Sequence, residues 1–326
     1  MIRDSKTGEM AGSGPISAGL PVFHAGGDWR AAWGDLQVAV QSALASAGGL
    51  LLKGLGLAGA EDFKAFALRF GDPLLNYDFA STPRSAVAGQ VYTSTEYPSH
   101  QSIPLHNEQS YTRQWPMRIW FHCAQASLEG GATPVADSRA VYRRLDPALR
   151  ERFERKRLMY VRNYGQGLDL PWQQVFGTED RLVAEAYCRT QGIHFEWTSD
   201  GELRTRQVCQ AVARHPVSGD AVWFNQAHLF HVSALEPAVR EALLDVVDEP
   251  DLPRNVYYGD GSPLEPSALD EIRQVYREQA SRSPWETGDV LMLDNMLMAH
   301  GRDPFKGPRK VVVAMARPYE VPPGLP

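Results

Sequence analysis

The sequence predicts an α+β fold that is mainly β: a double-stranded β-helix, or jelly roll, with flanking and inserted helices. Three observations lead there. Short runs of strand formers are joined by hairpin turns, as at Ser199-Asp200-Gly201 and at residues 214–219, and antiparallel strands of this kind stack as two sheets. No strand–helix–strand alternation, which would signal a parallel α/β sheet, runs through the chain. The third observation is a geometric demand. His106 and Glu108 stand in residues 104–111, His300 stands near the far end, and a jelly roll lets the two ends of a chain meet on neighbouring strands.

Taken in order, residues 1–19 are polar and small and lack the charged start and apolar centre of a signal peptide. They predict a flexible tail, and the absence of repeats or low-complexity linkers predicts a single domain over residues 20–326. Trp33, Leu36, Val40 and Leu44 are spaced for a helix over residues 29–47, closed by Gly48-Gly49. Leu50-Leu51-Leu52 reads as a buried strand. Phe63, Phe66 and Phe70 form one stripe of a helix over residues 61–70 that packs on the core. Residues 72–104 contain no helical pattern, and 92–98 read as a strand entering an ordered loop.

Residues 117–123 are rich in strand formers, and Gly130-Gly131 turns into a further strand through Thr133 and Val135. Asp137 and Asp146 are good helix starts, the second followed by Pro147. A helix follows over residues 178–189. Alternation of Ile193, Phe195 and Trp197 then announces a hairpin with the run from Leu203, and a second hairpin leads into Val222-Trp223-Phe224-Asn225. A helix runs from near Pro237 to Val247, another over residues 268–279 opens on the capping pair Ser267 and Asp270, and the strands 290–293 and 310–316 close the chain.

With 326 residues and 43 % hydrophobic content, the chain is large enough to bury a substantial core. A net charge of −6 with no Lys/Arg run argues against nucleic acid as the principal ligand. Cys123, Cys188 and Cys209 are odd in number and far apart, which speaks against a disulfide framework or a cysteine-held metal and for a reducing cytoplasm. The apolar stretch 50–57 contains Lys53 and is flanked or broken by Gly48, Gly49 and Gly54, so it does not span a membrane.

In an extended strand, side chains two apart face the same way, roughly 6.6 Å along the strand. His106 and Glu108 can therefore take adjacent positions on a metal. Two His and one carboxylate on one side of an octahedral ion form the facial triad of non-haem Fe(II) sites. The tripeptide by itself is weak, since solvated His and Glu pairs are common. His300, after the apolar run Val290-Leu291-Met292-Leu293, is the candidate third ligand. Arg309 stands nine residues further, and Thr133 follows the Gly-Gly turn. A guanidinium with a hydroxyl neighbour suits a carboxylate, here the distal carboxylate of 2-oxoglutarate, whose keto acid end would chelate the iron.

Several stretches together resemble a known family. They are residues 105–111 with Trp115-Pro116, Gly130-Gly131-Ala132-Thr133-Pro134-Val135 through Arg139, Arg162-Asn163-Tyr164, Leu168-Asp169-Leu170-Pro171-Trp172, 214–219, Trp223-Phe224-Asn225, 255–261, and Asp294-Asn295 through Arg302. The chain resembles the taurine dioxygenase/clavaminate synthase group of Fe(II)/2-oxoglutarate oxygenases, and most of all the syringomycin-type amino-acid hydroxylases, from about residue 50 to 317. The resemblance implies use of Fe(II), 2-oxoglutarate and O₂ with release of succinate and CO₂. It implies hydroxylation of an amino acid or amino-acid-derived group, free or tethered to a peptidyl carrier protein, in natural-product biosynthesis.

Glu108 stands where relatives often have Asp, and its presence favours hydroxylation over halogenation. Desaturation, epoxidation and cyclisation would share the same oxidant. A catalytically silent jelly-roll binding protein is the rival from another class, and a zinc hydrolase, which would not need Arg309 and Thr133, is a weaker one. Where some relatives carry a second, substrate-contacting arginine, this chain has Val313. The remaining candidates for substrate contact are Asn225, Arg118 and Arg317, the last equally readable as a surface arginine. Arg302 is expected either to orient the site or to pair with a nearby acid. His228 and His231 read as core residues or as supports behind the site rather than as metal ligands. Oligomeric state is not indicated.

Overall fold

The computed structural model describes residues 19–76, 84–95, 97–165 and 169–321; the expected tail at 1–19 lies outside them apart from Gly19. A seven-stranded sheet dominates, in the order Val22–His24, Gly49–Lys53, Val290–Asp294, Gln114–Gln125, Lys310–Glu320, Val91–Thr93, Ala86–Ala88. Among the described strands only Val22–His24 and Gly49–Lys53 pair in parallel. Packed on one face are the three-stranded sheet Ile103–His106, Met298–Arg302, Val135–Asp137 and the hairpin of Val212–Arg214 with Ala221–Trp223. This is the expected jelly roll. A further sheet, His194–Trp197, Leu203–Cys209, Leu158–Tyr164 and Arg254–Tyr258, packs with the helices Pro147–Lys156, Arg181–Thr190 and Pro266–Gln279 into a second core region.

Strand alternation explains which side chains reach the interior. Along Gln114–Gln125, Ile119, Phe121 and Cys123 turn inward to meet Val135, Met298 and Val313. Trp120, on the opposite face, meets the helices Trp33–Ala47 and Ala60–Leu68. There Phe66 packs edge-on to Trp29 at 5.3 Å and Phe70 at 5.5 Å, and Phe70 lies 5.8 Å from Trp120. The aromatic stripe is thus core packing, as expected. Among the described residues no helix is long and apolar enough to cross a membrane.

Several expected elements shift. The first helix begins at Trp33 rather than 29, because residues 27–32 form turns in which Asp28 accepts from the Arg30 N–H. The helix expected over 178–189 is Arg181–Thr190, capped by the Asp180 carboxylate on the Leu182 N–H. The Ser267/Asp270 pair does not cap: the helix is Pro266–Gln279, preceded by Glu265 without a side-chain cap, and its start is set by Pro266 in the first turn. Leu158–Tyr164 and Arg254–Tyr258 are strands that the sequence did not announce, since near-continuous burial hides the alternation that marks a half-buried strand.

The shift that matters most concerns His106 and Glu108. The strand stops at His106, and Asn107–Ser110 is a turn closed by the Ser110 N–H on the Asn107 carbonyl at 3.3 Å. The two side chains therefore converge by a turn and not by the two-residue repeat of a strand.

Phe66 is fully buried. Phe66→Ala should lower stability by about 3–5 kcal/mol in urea denaturation; a loss below about 1 kcal/mol would mean that this cluster does not hold the helices to the sheet.

Candidate active site

His106 and His300 are direct cross-strand partners, with ring centroids 4.6 Å apart. The ladder shifts register just after His300, and Gly301 permits the close approach: a Cβ there would stand 2.6 Å from the Ile103 carbonyl. Glu108 comes in from the turn, its Oε2 at 3.9 Å from His300 Nε2. One ligand atom from each of the three residues lies within 4.8 Å of the others. Donors bound to one ion at about 2.0–2.2 Å lie at most about 4.4 Å apart, so a small closure suffices and the donor set fits a divalent metal.

The histidine tautomers suit that use. His106 donates its Nδ1–H to the Pro104 carbonyl at 2.8 Å, which leaves Nε2 as the ligand atom. Burial lowers its pKa, only partly opposed by Glu108. His300 is held well below the ordinary histidine range by burial and then by the charges of His106 and Arg84. Both rings are neutral, as metal ligands must be.

The turn that carries Glu108 is clamped by Asn295. Its side-chain oxygen accepts the Glu108 N–H at 2.7 Å, while its Nδ2 donates to the Glu108 carbonyl at 2.9 Å and to the Pro116 carbonyl at 2.8 Å. In return, Asn107 donates to the Asn295 carbonyl at 2.6 Å, and both amides are fully buried. Gln226 holds the Asn107 carbonyl, Gln210 holds those of Ser110 and Thr112, and His228 donates its Nε2–H to Leu105 at 2.9 Å. His228 stacks on Tyr276, and burial pushes its pKa down to about 3. His231 bonds Ser233.

Arg309 donates its Nε–H to the Gly131 carbonyl at 3.0 Å and lies over Phe305. No carboxylate among the described residues is within ion-pairing distance of it. Burial, with Arg302 nearby, lowers its pKa to about 10, so the cation sits in a poorly solvated place that favours an anion. Gly131, at φ 70°, lets the arginine approach: a Cβ there would meet Arg309 Cδ at 3.1 Å and Ser127 Oγ at 2.5 Å. From this turn the chain leads to Thr133, buried, whose hydroxyl accepts the Trp285 indole N–H at 3.0 Å and keeps its own hydrogen to donate.

Of the other candidates, Arg118 and Arg317 lie on the outer face of the large sheet. Arg118 shares the outer face of its strand with Trp120 and pairs with Asp72 at 3.1 Å, whereas His300 meets Phe121 on the inner face. Arg317, its side chain 54 % exposed, turns to the same Asp72. Asn225 is fully buried, and its amide is engaged by the Ala211 carbonyl and the Ala227 N–H. Arg302 does not pair with an acid. It binds the carbonyls of Tyr97, Pro98 and Gln101 and so fastens the loop before the His106 strand.

Two residues at the site went unnoticed in the sequence. Asn295 stands inside a recognised stretch but carried no role. Arg84 gave no signal at all, because residues 72–104 lack periodicity; its Nη2 lies 2.6 Å from Glu108 Oε2 with both side chains buried. A cavity of about 230 Å³ opens beside Gln109, the residue after Glu108, and is walled also by Gln114, Gln191 and Gln207. His106, Glu108 and His300 are not in its wall.

A family described as taurine catabolism dioxygenase TauD, TfdA family matches residues 21–315. The dapdiamide synthesis protein DdaC of Enterobacter agglomerans is 40 % identical over 279 residues, 86 % of this chain and 85 % of that protein. A clavaminate synthase-like protein of Arabidopsis thaliana is 31 % identical over 289 residues, 85 % of this chain and 84 % of that one. The structure of PvcB from Pseudomonas aeruginosa superimposes with a TM-score of 0.51 at 17 % identity, over 91 % of this chain and 84 % of that chain, which is a likeness of fold.

Asn295→Ala would leave the buried N–H and carbonyl of Glu108 without partners. Groups that orient metal ligands typically carry 10–100-fold in metal affinity, so Mn(II) binding followed by its EPR signal should weaken by about that factor. Unchanged affinity would remove Asn295 from the support of the site.

Proposed function

The chain belongs to the TauD, TfdA family and is an Fe(II)/2-oxoglutarate-dependent dioxygenase, and from this premise we propose that it hydroxylates an unactivated C–H bond of an amino acid or amino-acid-derived molecule, free or carried on a peptidyl carrier protein, in the making of a natural product. Support for the substrate class comes from the relative concerned with dapdiamide synthesis. We further propose that residues 20–326 act as one domain and that the enzyme works in the cytoplasm, in keeping with three free, buried cysteines.

The observation that carries the reading is the convergence of His106, Glu108 and His300 with Arg309, a half-buried guanidinium with no carboxylate within ion-pairing distance among the described residues. In our assignment the two imidazoles and the carboxylate hold the metal from one side, with neutral rings offering their Nε2 atoms. Arg309 and the Thr133 hydroxyl receive the far carboxylate of 2-oxoglutarate. When bound, iron and 2-oxoglutarate supply the oxidising chemistry, consuming O₂ and releasing succinate and CO₂. The chain's own task is to orient the bound molecules and keep water out. Asn295 fixes Glu108, and Arg302 fastens the loop in front of His106. We assign no substrate contact to Arg118 or Arg317, which turn to Asp72, nor to Asn225, whose amide is bonded within the chain. The test of the substrate class is a screen of amino acids and carrier-bound aminoacyl groups for coupled succinate formation; succinate release that no such compound stimulates would count against it.

The co-substrate anchor yields a graded expectation. Losing one partner of a buried charge pair typically costs about 2–5 kcal/mol, and losing one neutral donor to a charged group about 1.5–3 kcal/mol. Arg309→Ala should thus weaken 2-oxoglutarate binding more than Thr133→Val in titrations under nitrogen. Lys310 is exposed and is the next residue on the strand, so Lys310→Ala should be nearly silent. A crippling Lys310→Ala beside a silent Arg309→Ala would show the anchor to be misassigned.

A further inference from the structure

His106 and His300 face each other across the ladder, yet only one of the two rings is held by a hydrogen bond. His106 gives its Nδ1–H to the Pro104 carbonyl at 2.8 Å. His300 is only 4 % exposed, and its Nδ1 is buried without a hydrogen-bond partner. A histidine that binds a metal ordinarily donates its second ring N–H to an acceptor, which sets the orientation of the ring. The torsion that turns an imidazole is itself broad and roughly two-fold, so it leaves that orientation open. His300 must therefore be oriented by its packing.

Its flanks are aromatic. The His106 ring lies 4.6 Å away at an interplanar angle of 51°, and the Phe121 ring lies 4.8 Å away at 55°. His106 belongs to the donor set and has its own support on Pro104. Phe121 belongs to the framework. It is buried in the middle of the large sheet, opposite Leu291 on one neighbouring strand and Val313 on the other. Ladders on both sides fix its backbone, and its side chain packs in one core with Val135 and Met298. Val135 is in turn a cross-strand partner of His300. A flat ring fixed in this way leaves the imidazole little room to turn, because rotation would drive the imidazole edge into a neighbour that a close-packed core does not let retreat.

We propose that Phe121 is the positioning residue of His300: its ring, in place of a hydrogen bond, holds the imidazole with Nε2 turned to Glu108. The proposal rests on the assignment of His106, Glu108 and His300 as the metal donors, and it deepens that assignment. The donor set is then unsymmetrical, with one imidazole oriented by a carbonyl and the other by packing.

The experiment uses the full chain under nitrogen. Mn(II) binding is followed by EPR, and the visible charge-transfer band is read with Fe(II) and 2-oxoglutarate. Phe121→Leu keeps an apolar group in the core but removes the flat ring; Phe121→Tyr keeps the ring. Phe121→Leu should bind Mn(II) at least about tenfold more weakly than the native chain and should shift the band. Phe121→Tyr should match the native chain in both. Leu291→Ala thins the same core beside Phe121 and measures a purely structural loss: it should lower the urea midpoint while Mn(II) affinity and band position stay as they were. Phe121→Met takes the place of Phe121→Leu should that variant not fold. The proposal is overturned if Phe121→Leu binds Mn(II) as tightly as the native chain, if Phe121→Leu and Phe121→Tyr lose affinity alike, or if Leu291→Ala loses as much. A native chain that binds Mn(II) but gives no band with 2-oxoglutarate would sink the oxygenase reading, and the Mn(II) comparison would still decide on Phe121. A native chain that binds no Mn(II) would sink both.

Discussion

The geometry of the site depends on one buried carboxamide. Glu108 lies in a turn, and a turn by itself does not fix the direction of a side chain as a paired strand does. Asn295 makes up for the missing ladder by bonding both the N–H and the carbonyl of Glu108, much as a neighbouring strand would. Because Asn295 sits five residues before His300 on the same connection, the clamp ties the position of the carboxylate to that of the imidazole. Buried amides of this kind are costly when unsatisfied and stiff when every group is paired. Here Asn107, Gln210, Gln226 and His228 pair the surrounding carbonyls as well.

Around that fixed point the fold arranges charge. Arg309 lies half-buried over the Gly-Gly turn, and the Arg84 side chain is kept from solvent against Glu108. A guanidinium withdrawn from water recovers in charge-assisted hydrogen bonds what it lost in hydration, as Arg84 does on Glu108. The remaining arginines near the site have been disposed of structurally: Arg302 by loop carbonyls, Arg118 and Arg317 by a shared aspartate on the far side of the sheet. The large sheet acts as the divider. Its alternation sends Phe121 toward His300 and Trp120 toward the helices, so neighbours in sequence belong to different environments.

Much of this was legible in the sequence. The hairpins, the missing strand–helix alternation and the separation of His106 from His300 led to the jelly roll, and the residue types of His106, Glu108 and His300 named the donor set before any fold was known. The Gly-Gly turn was legible for the same reason, since a required positive φ is a property of residue type. Strands buried on both faces, such as Leu158–Tyr164, were not, because their burial pattern carries no period.

What the sequence by itself determined, then, was chemistry: which side chains can bind a metal or an anion, and that two far-apart segments must meet. What only the tertiary structure decided was direction and neighbourhood. Whether Arg118 faces the metal or the opposite side, whether Asn225 is free or engaged, and whether Glu108 lies on a strand or in a clamped turn are matters of long-range contact. They depend on which face of a sheet is covered and on hydrogen bonds between residues some 190 positions apart, as between Glu108 and Asn295. Arg84 is the extreme case. Nothing in its local sequence sets it apart, and its place beside Glu108, 24 positions away, is a long-range contact.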